Sequence, residues 1–246
     1  MPRLTLRFYR ELNDFLPKPL QQRDFTRDFV VLGAVKNIIE AVGVPHTEVD
    51  LILVNGQSAA FDYHPEDGDR ISVYPLFEAL DISSITRLRP RPLRESRFVL
   101  DCHLGRLARY LRMLGFDCVF SGHCADQRLV EISVQQERIL LTRDLDLLKR
   151  KALTHAYYVR AIRPLKQLAE VVHRLQLQNS FAPFSRCTVC NGTLTKVTRE
   201  EVWSQIPPTS RRKFTEYCRC EGCGRVYWKG SHYKRMHRLI ATVKGD

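Results

Sequence analysis

An α/β protein in three parts is what this sequence predicts, and three observations predict it. Residues 97–180 alternate short apolar runs with amphipathic stretches. Residues 1–80 set short strand-like runs, the first with period two, around one helical stretch. Two CxxC pairs stand near the C-terminus.

In "RLTLRFY", Leu4, Leu6 and Phe8 alternate with Arg3, Thr5 and Arg7, the period of a half-buried strand. "VLGAVKNIIEAVG" places Leu32, Val35, Ile38, Ile39 and Val42 on one helical face, with Gly43 as the stop. "VDLILVNG" is a strand closing on an Asn-Gly turn, and "DGDRISVYP" a strand leaving an Asp-Gly turn. Strands around one central helix predict an α+β β-grasp over residues 1–80. "GVPHTEVDLILVNG" and "DGDRISVYP" resemble the ubiquitin-like and sulfur-carrier β-grasp families. Those carriers need a Gly-Gly tail, whereas "PLFEALDI" here runs on into more protein. Docking to a protein partner is therefore expected rather than conjugation or sulfur transfer; a structural appendage is the plain alternative.

Residues 81–96, "DISSITRLRPRPLRES", are arginine-rich and carry Pro90 and Pro92, the composition of a stiff connector. This basic arm either touches phosphates or is simply solvated. From Arg97 the pattern changes. "RFVLD", "DCVF", "RILLT" and "AYYV" read as strands, each followed by a helical stretch, the first being "LGRLARYLRMLG" with its leucines inward and Gly115 closing it. Pro164 opens the last helix. Four strand–helix units in succession predict a parallel sheet with helices on both faces.

In such a sheet the strand-to-helix loops open at one edge, where ligands bind. The first loop holds Asp101, the second Asp126, the third Asp144 and Asp146. Carboxylates brought together repel; Mg2+ or Mn2+ would remove that conflict while leaving room for water and a phosphodiester. The plain reading is that each acid caps the next helix. It serves for Asp126, which sits at a helix start, and for Asp146 in a first turn. Asp101 and Asp144, in neighbouring units, favour the metal.

Charge points the same way. Residues 1–80 carry 8 Lys and Arg against 12 Asp and Glu, a net of −4, so the overall +12 leaves +16 on residues 81–246. A basic body attracts polyanions by releasing their counterions, although it also serves solubility. Arg106, Arg109 and Arg112 lie opposite the leucines of the first helix, a face that is either solvated or set against an RNA backbone. Arg143 and Arg160 are weaker candidates for the same contact.

"CTVC" at 187–190 and "CEGC" at 220–223 place Cys187, Cys190, Cys220 and Cys223 as a closed tetrahedral Zn2+ site, the core of a zinc ribbon over residues 181–246 with its basic tail. Cys218 competes for the second pair. Past it, Tyr227, Trp228, Lys229 and His232 mix aromatics with cations, as stacking on single-stranded RNA requires; packing of the ribbon accounts for the aromatics equally well. Cys102, Cys118 and Cys124, near His103 and His123, are a weak second metal set beside the ordinary reading of buried thiols.

"FVLDCHLGRLARYLRMLGFD" and "RILLTRDLDLLKR" resemble the Mut-seven C-terminal RNase domain family, a branch of the PIN-like nucleases, over about residues 97–240. Bacterial members of that family often carry a ubiquitin-like segment in front. The resemblance implies a PIN-like domain over 97–180 that cleaves RNA with Mg2+ or Mn2+, Asp101 and Asp144 matching two of its acids and Asp126 the third. Family members often show two adjacent acids at the third position, where this chain has Ala125-Asp126. The alternative is a non-catalytic RNA- or ribosome-binding module whose acids are only caps. A dinucleotide-binding fold is disfavoured because "LDCHLGRL" lacks the glycine-rich loop. No apolar run reaches the roughly 18 residues of a membrane span, and "MPRLTLRFYRELND" has no signal core, so no membrane is expected and the location is read as cytoplasmic.

Overall fold

The computed structural model describes residues 1–75, 88 and 96–244, without the side chains of Ser231, His232, Arg235 and Lys244. The expected basic connector, residues 81–96, lies almost wholly outside the described residues.

In chain order the first elements are β1 (Arg3–Phe8), β2 (Phe25–Asp28), α1 (Val35–Ala41), β3 (Val49–Val54), β4 (Gln57–Ser58) and β5 (Arg70–Pro75). Their sheet has the order β2-β1-β5-β3-β4, with β1 parallel to β5 and the other pairs antiparallel. A central parallel pair with hairpins on both sides and one helix across it is the β-grasp. Leu4, Leu6 and Phe8 all point into the core, as their alternation requires, and meet Val35, Ile38 and Ile39 of α1. Leu32 falls before the helix and is only partly buried. Asn55 and Gly56, at φ 51° and 84°, make the two-residue turn between β3 and β4.

The following elements are β6 (Phe98–Leu100), α2 (Gly105–Met113), β7 (Cys118–Phe120), α3 (Asp126–Gln135), β8 (Ile139–Thr142), α4 (Leu145–Leu148), β9 (Ala156–Tyr158) and α5 (Pro164–Arg174). All four expected strand–helix units form. The third helix is shorter than "LDLLKRK" predicts, because three cations follow Leu148 and the Thr47 hydroxyl takes the Leu148 carbonyl at 3.4 Å. β10 (Leu194–Val197), α6 (Pro208–Arg211), β11 (Tyr217–Cys220), β12 (Val226–Trp228) and α7 (Ser231–Lys244) complete the chain, the three strands forming an antiparallel sheet in sequence order.

The chain divides into two compact units. One takes in Met1–Arg94 with Val134–Glu137 and Asp144–Tyr158; the other takes in Glu95–Ser133, Arg138–Arg143 and Val159–Asp246. The first unit is therefore the β-grasp together with α4 and β9. In the second, β6 lies between β7 and β8, parallel to both, flanked by helices, and every residue of β6 is buried.

Gly115 ends α2 at φ +99°, and a Cβ there would lie 2.2 Å from the Ala182 carbonyl, so only glycine fits. Arg112 corrects the reading of a solvated basic face on α2. It follows Ala108 by one turn, on the border of the apolar stripe, and is 4% exposed. Its guanidinium donates to Cys118 O at 2.7 and 3.0 Å and to Val189 O at 2.8 Å. Arg106 and Arg109 are exposed, as expected.

Asp117 is the polar node of the second unit. Arg138 grips its carboxylate at 2.8 and 3.1 Å, and Asn191 Nδ2 donates to it at 2.7 Å. Asn191 Oδ1 in turn accepts from the Cys118 amide at 2.9 Å. Burial opposes ionisation of Asp117, but Arg138 and Asn191 outweigh it and hold the carboxyl below its ordinary 3.8. A depressed carboxylate stabilises the fold above its unfolded value and stops doing so as pH falls through the folded one. Replacing Asp117 with Ala takes the carboxylate away from the buried Arg138 guanidinium and is expected to cost about 3 kcal/mol. Urea unfolding at pH 7 checks this, and the gap between wild type and variant should shrink below pH 3.8.

Candidate functional site

Parallel pairing of β6 with β8 runs Phe98↔Ile139, Val99↔Leu140, Leu100↔Leu141. The next step of that register brings Asp101 beside Thr142. The Thr142 hydroxyl donates to Asp101 Oδ2 at 2.9 Å, and the Cys102 amide to Oδ1 at 2.5 Å. Asp101 is 7% exposed and Thr142 fully buried. A buried carboxylate is costly unless its oxygens find donors; here the strand end supplies them. Asp101 is thus the N-cap of the turn leading into α2.

Asp144 follows Thr142 by two residues and caps α4. Its Oδ1 accepts from the amides of Asp146 and Leu147 at 2.8 and 3.3 Å. It is exposed. Asp146 gives its amide to that cap, and its own carboxylate is turned to solvent, 3.7 Å from Lys149 Nζ. Asp126 is exposed and opens α3. Each of the three acids therefore stands where a strand gives way to a helix, the place the sequence reading assigned it.

The basic candidates have local duties. Arg143 donates through Nη1 to the carbonyls of Ala161, Arg160 and Val159 at 2.5, 3.0 and 3.3 Å. The Arg160 and Ala161 amides donate to the Glu170 carboxylate at 2.8 and 2.7 Å. Arg143 is thus tied to the connection that precedes α5. Sequence period alone gives no sign of this, since the partners lie some 17 residues away.

The four cysteines come together. Their sulfurs all lie within 4.8 Å of one another, Cys190 and Cys220 at 3.3 Å, Cys187 and Cys223 at 3.7 Å. Among the described residues no other three His, Cys, Asp or Glu are gathered this closely, so neither the three aspartates nor the Cys102, Cys118 and Cys124 set stands at that spacing. Cys218 is outside the quartet, and burial pushes the Cys118 thiol up.

Sulfurs about 3.8 Å apart are what a tetrahedron with 2.3 Å metal–sulfur bonds requires. A Cβ on Gly192 would lie 2.9 Å from Cys220 Sγ and 3.4 Å from Cys190 Sγ, so glycine keeps that space clear. Burial works against a Cys187 thiolate, but the Tyr227 hydroxyl, 3.0 Å away, and the Cys190 and Val189 amides bring the thiol down to about 6. Cys190 goes the other way. The Gly192 amide favours its thiolate, yet burial and the neighbouring sulfurs push it up to about 12. One readily ionised thiol beside one that resists ionisation is the arrangement a divalent cation relieves.

Tyr227 thus supports the quartet, and Trp228 packs with Val202, Ile206 and Tyr217 in the ribbon's small core. Lys229 pairs with Glu216 at 2.5 Å. The side chain of His232 lies outside the described residues. Of the two readings open for these aromatics, ribbon packing is the one their contacts display.

These features define a class: a β-grasp ahead of an α/β unit whose acids stand at strand ends, closed by a cysteine quartet fit for a structural metal. Comparison with known families makes it particular. Residues 96–240 match the Mut7-C RNAse domain, and residues 1–81 match the Mut7-C ubiquitin domain. The chain belongs to the Mut7-C RNAse domain family, which ties it to RNA and to nuclease chemistry at the level of the family. No curated protein and no solved structure matches it. No helix among the described residues is long and apolar enough to cross a membrane.

Elemental analysis of the purified chain is expected to find a single tightly held metal ion at the quartet. The double variant Cys187→Ser, Cys223→Ser should lose it, with the ribbon opening to proteolysis; a metal-free wild type would remove the site.

Proposed function

We propose that the protein is a metal-dependent ribonuclease that hydrolyses RNA phosphodiester bonds, with Asp101, Asp126 and Asp144 holding Mg2+ or Mn2+ and the cysteine quartet holding a structural zinc. The register of β6 against β8 carries this reading. It sets Asp101 at the carboxyl end of a central strand, beside the Thr142 that leads directly into Arg143 and Asp144. The family match supports RNA as the substrate class.

The donor set suits a hard cation. All three ligands are carboxylates, and a carboxylate has about four lone-pair sites, so accepting one or two amides does not exhaust it. A bound divalent cation supplies Lewis acidity toward a phosphodiester and neutralises its charge. The chain's own residues do the rest. Thr142 and the Cys102 amide fix the Asp101 carboxylate, the Asp146 and Leu147 amides orient that of Asp144, and exposed Arg106 and Arg109 offer charge to the RNA backbone. Zinc is the ion for the quartet because four thiolates with no open position match its structural sites. The β-grasp is a candidate surface for a protein partner. The second reading, an RNA-binding module without catalysis, draws on the caps: Asp101 and Asp144 each serve a helix start whether or not a metal binds.

Asparagine separates the two readings. It caps a helix about as well as aspartate, and its side-chain oxygen still accepts from the same amides, but it loses the charge a cation needs. Asp144→Asn and Asp101→Asn are expected to keep the wild-type melting temperature within a few degrees. Both should lower Mg2+- or Mn2+-dependent cleavage of a mixed RNA pool about a hundredfold or more. Wild-type protein that binds the pool without cutting it would establish the binding module instead.

A further inference from the structure

The turn His46–Glu48 links α1 to β3, and its three residues are 4%, 2% and 4% exposed. None of its side chains is apolar. Each reaches the segment Asp144–Tyr158, which belongs to the same unit. His46 Nε2 donates to Leu153 O at 3.0 Å, with Nδ1 2.6 Å from Glu40 Oε1. Thr47 Oγ1 donates to Leu148 O at 3.4 Å. Glu48 Oε1 accepts from the Tyr158 amide at 2.6 Å. Phe15 sets its ring against Tyr158 at 5.7 Å.

Holding two segments together needs only apolar contact, and the segment itself buries Leu147, Leu148, Leu153 and Tyr157. A buried carboxylate adds cost unless it is bonded, so its presence marks a need for direction rather than adhesion. The three bonds fall at the last residue of α4, midway along the connection and at the last residue of β9. α4 is a single turn, too short to hold its own shape, and Asp144 is its cap.

We propose that the ubiquitin-like domain is an intramolecular brace that sets the Asp144 turn, with Thr47 at the end of α4 and Glu48 at the far end of the segment as its positioning residues. The brace does not depend on chemistry at Asp144; its consequence for cleavage rests on the ribonuclease reading above. The β-grasp thereby has work to do within its own chain.

The test is amide hydrogen exchange across residues 144–158 of the full chain, for wild type, Glu48→Ala and Glu48→Gln. Losing the acceptor in Glu48→Ala should speed exchange of the Tyr158 amide about tenfold or more. α5 should be unaffected. Glu48→Gln keeps a side-chain oxygen and should stay near wild type. In cleavage assays with Mn2+, Glu48→Ala should lower kcat at unchanged KM, and Glu48→Gln should restore it. If Glu48→Ala does not fold, Thr47→Val gives the same reading through faster exchange in α4. Exchange unchanged in both Glu48→Ala and Thr47→Val overturns the brace. A clear exchange contrast in a protein whose wild type cuts no RNA supports the brace and strikes the ribonuclease reading alone.

Discussion

One register decides what the second unit can carry. With Leu100 opposite Leu141, the residues that follow come to the same level, and Asp101 meets Thr142. Shifting either strand by one residue would turn its side chains to the other face, removing Asp101 from Thr142 and leaving its carboxylate with the Cys102 amide but not the hydroxyl. The register and the acid therefore constrain each other. The apolar triplet Phe98–Leu100 is buried throughout, as suits a central strand, and its pairing with β8 brings the loop acid against the hydroxyl.

The cysteine quartet is bound into that same unit through polar groups rather than through a broad apolar face. Asn191, one residue beyond Cys190, links the Asp117 carboxylate to the Cys118 amide. Arg112 reaches from α2 to the Val189 carbonyl between the first two cysteines. The first CxxC is thus held by the edge of the parallel sheet, and the second by its antiparallel strands. A ribbon whose own core is as small as Val202, Ile206 and Tyr217 relies for its order on these bonds and on any ion its quartet could hold.

The sequence reveals what repeats and what clusters. A period-two apolar run gave β1, Asn-Gly and Asp-Gly turns marked β3 and β5, the strand–helix alternation gave the parallel unit, and CxxC spacing gave the quartet with Cys218 excluded. Acids at strand ends were legible for the same reason, since a strand's end is visible in its apolar run. What could not be read are single polar pairings across long separations. Asp117 to Asn191 spans 74 residues and Glu48 to Tyr158 spans 110, and neither leaves a local period. Arg112 was misread because helical spacing assigns a border position to solvent unless a buried acceptor is known to wait there. Its distance of one turn from Ala108 was the only available sign.

Capping and metal binding are usually weighed as rivals for an acid at a helix start, yet on the ribonuclease reading proposed above they would depend on each other. A carboxylate on a flexible loop pays in entropy to meet a cation. One already held by two amides, as Asp144 is, has lost that freedom when the fold forms. Orientation by the cap is then a form of preorganisation, and the shortness of α4 explains why it needs outside support. A one-turn helix cannot stabilise its own first turn, so whatever anchors its far end also governs its cap. The carbonyl of Leu148, bonded to Thr47, is that far end. The geometry of the acid is in this way set from the β-grasp, through four residues of helix.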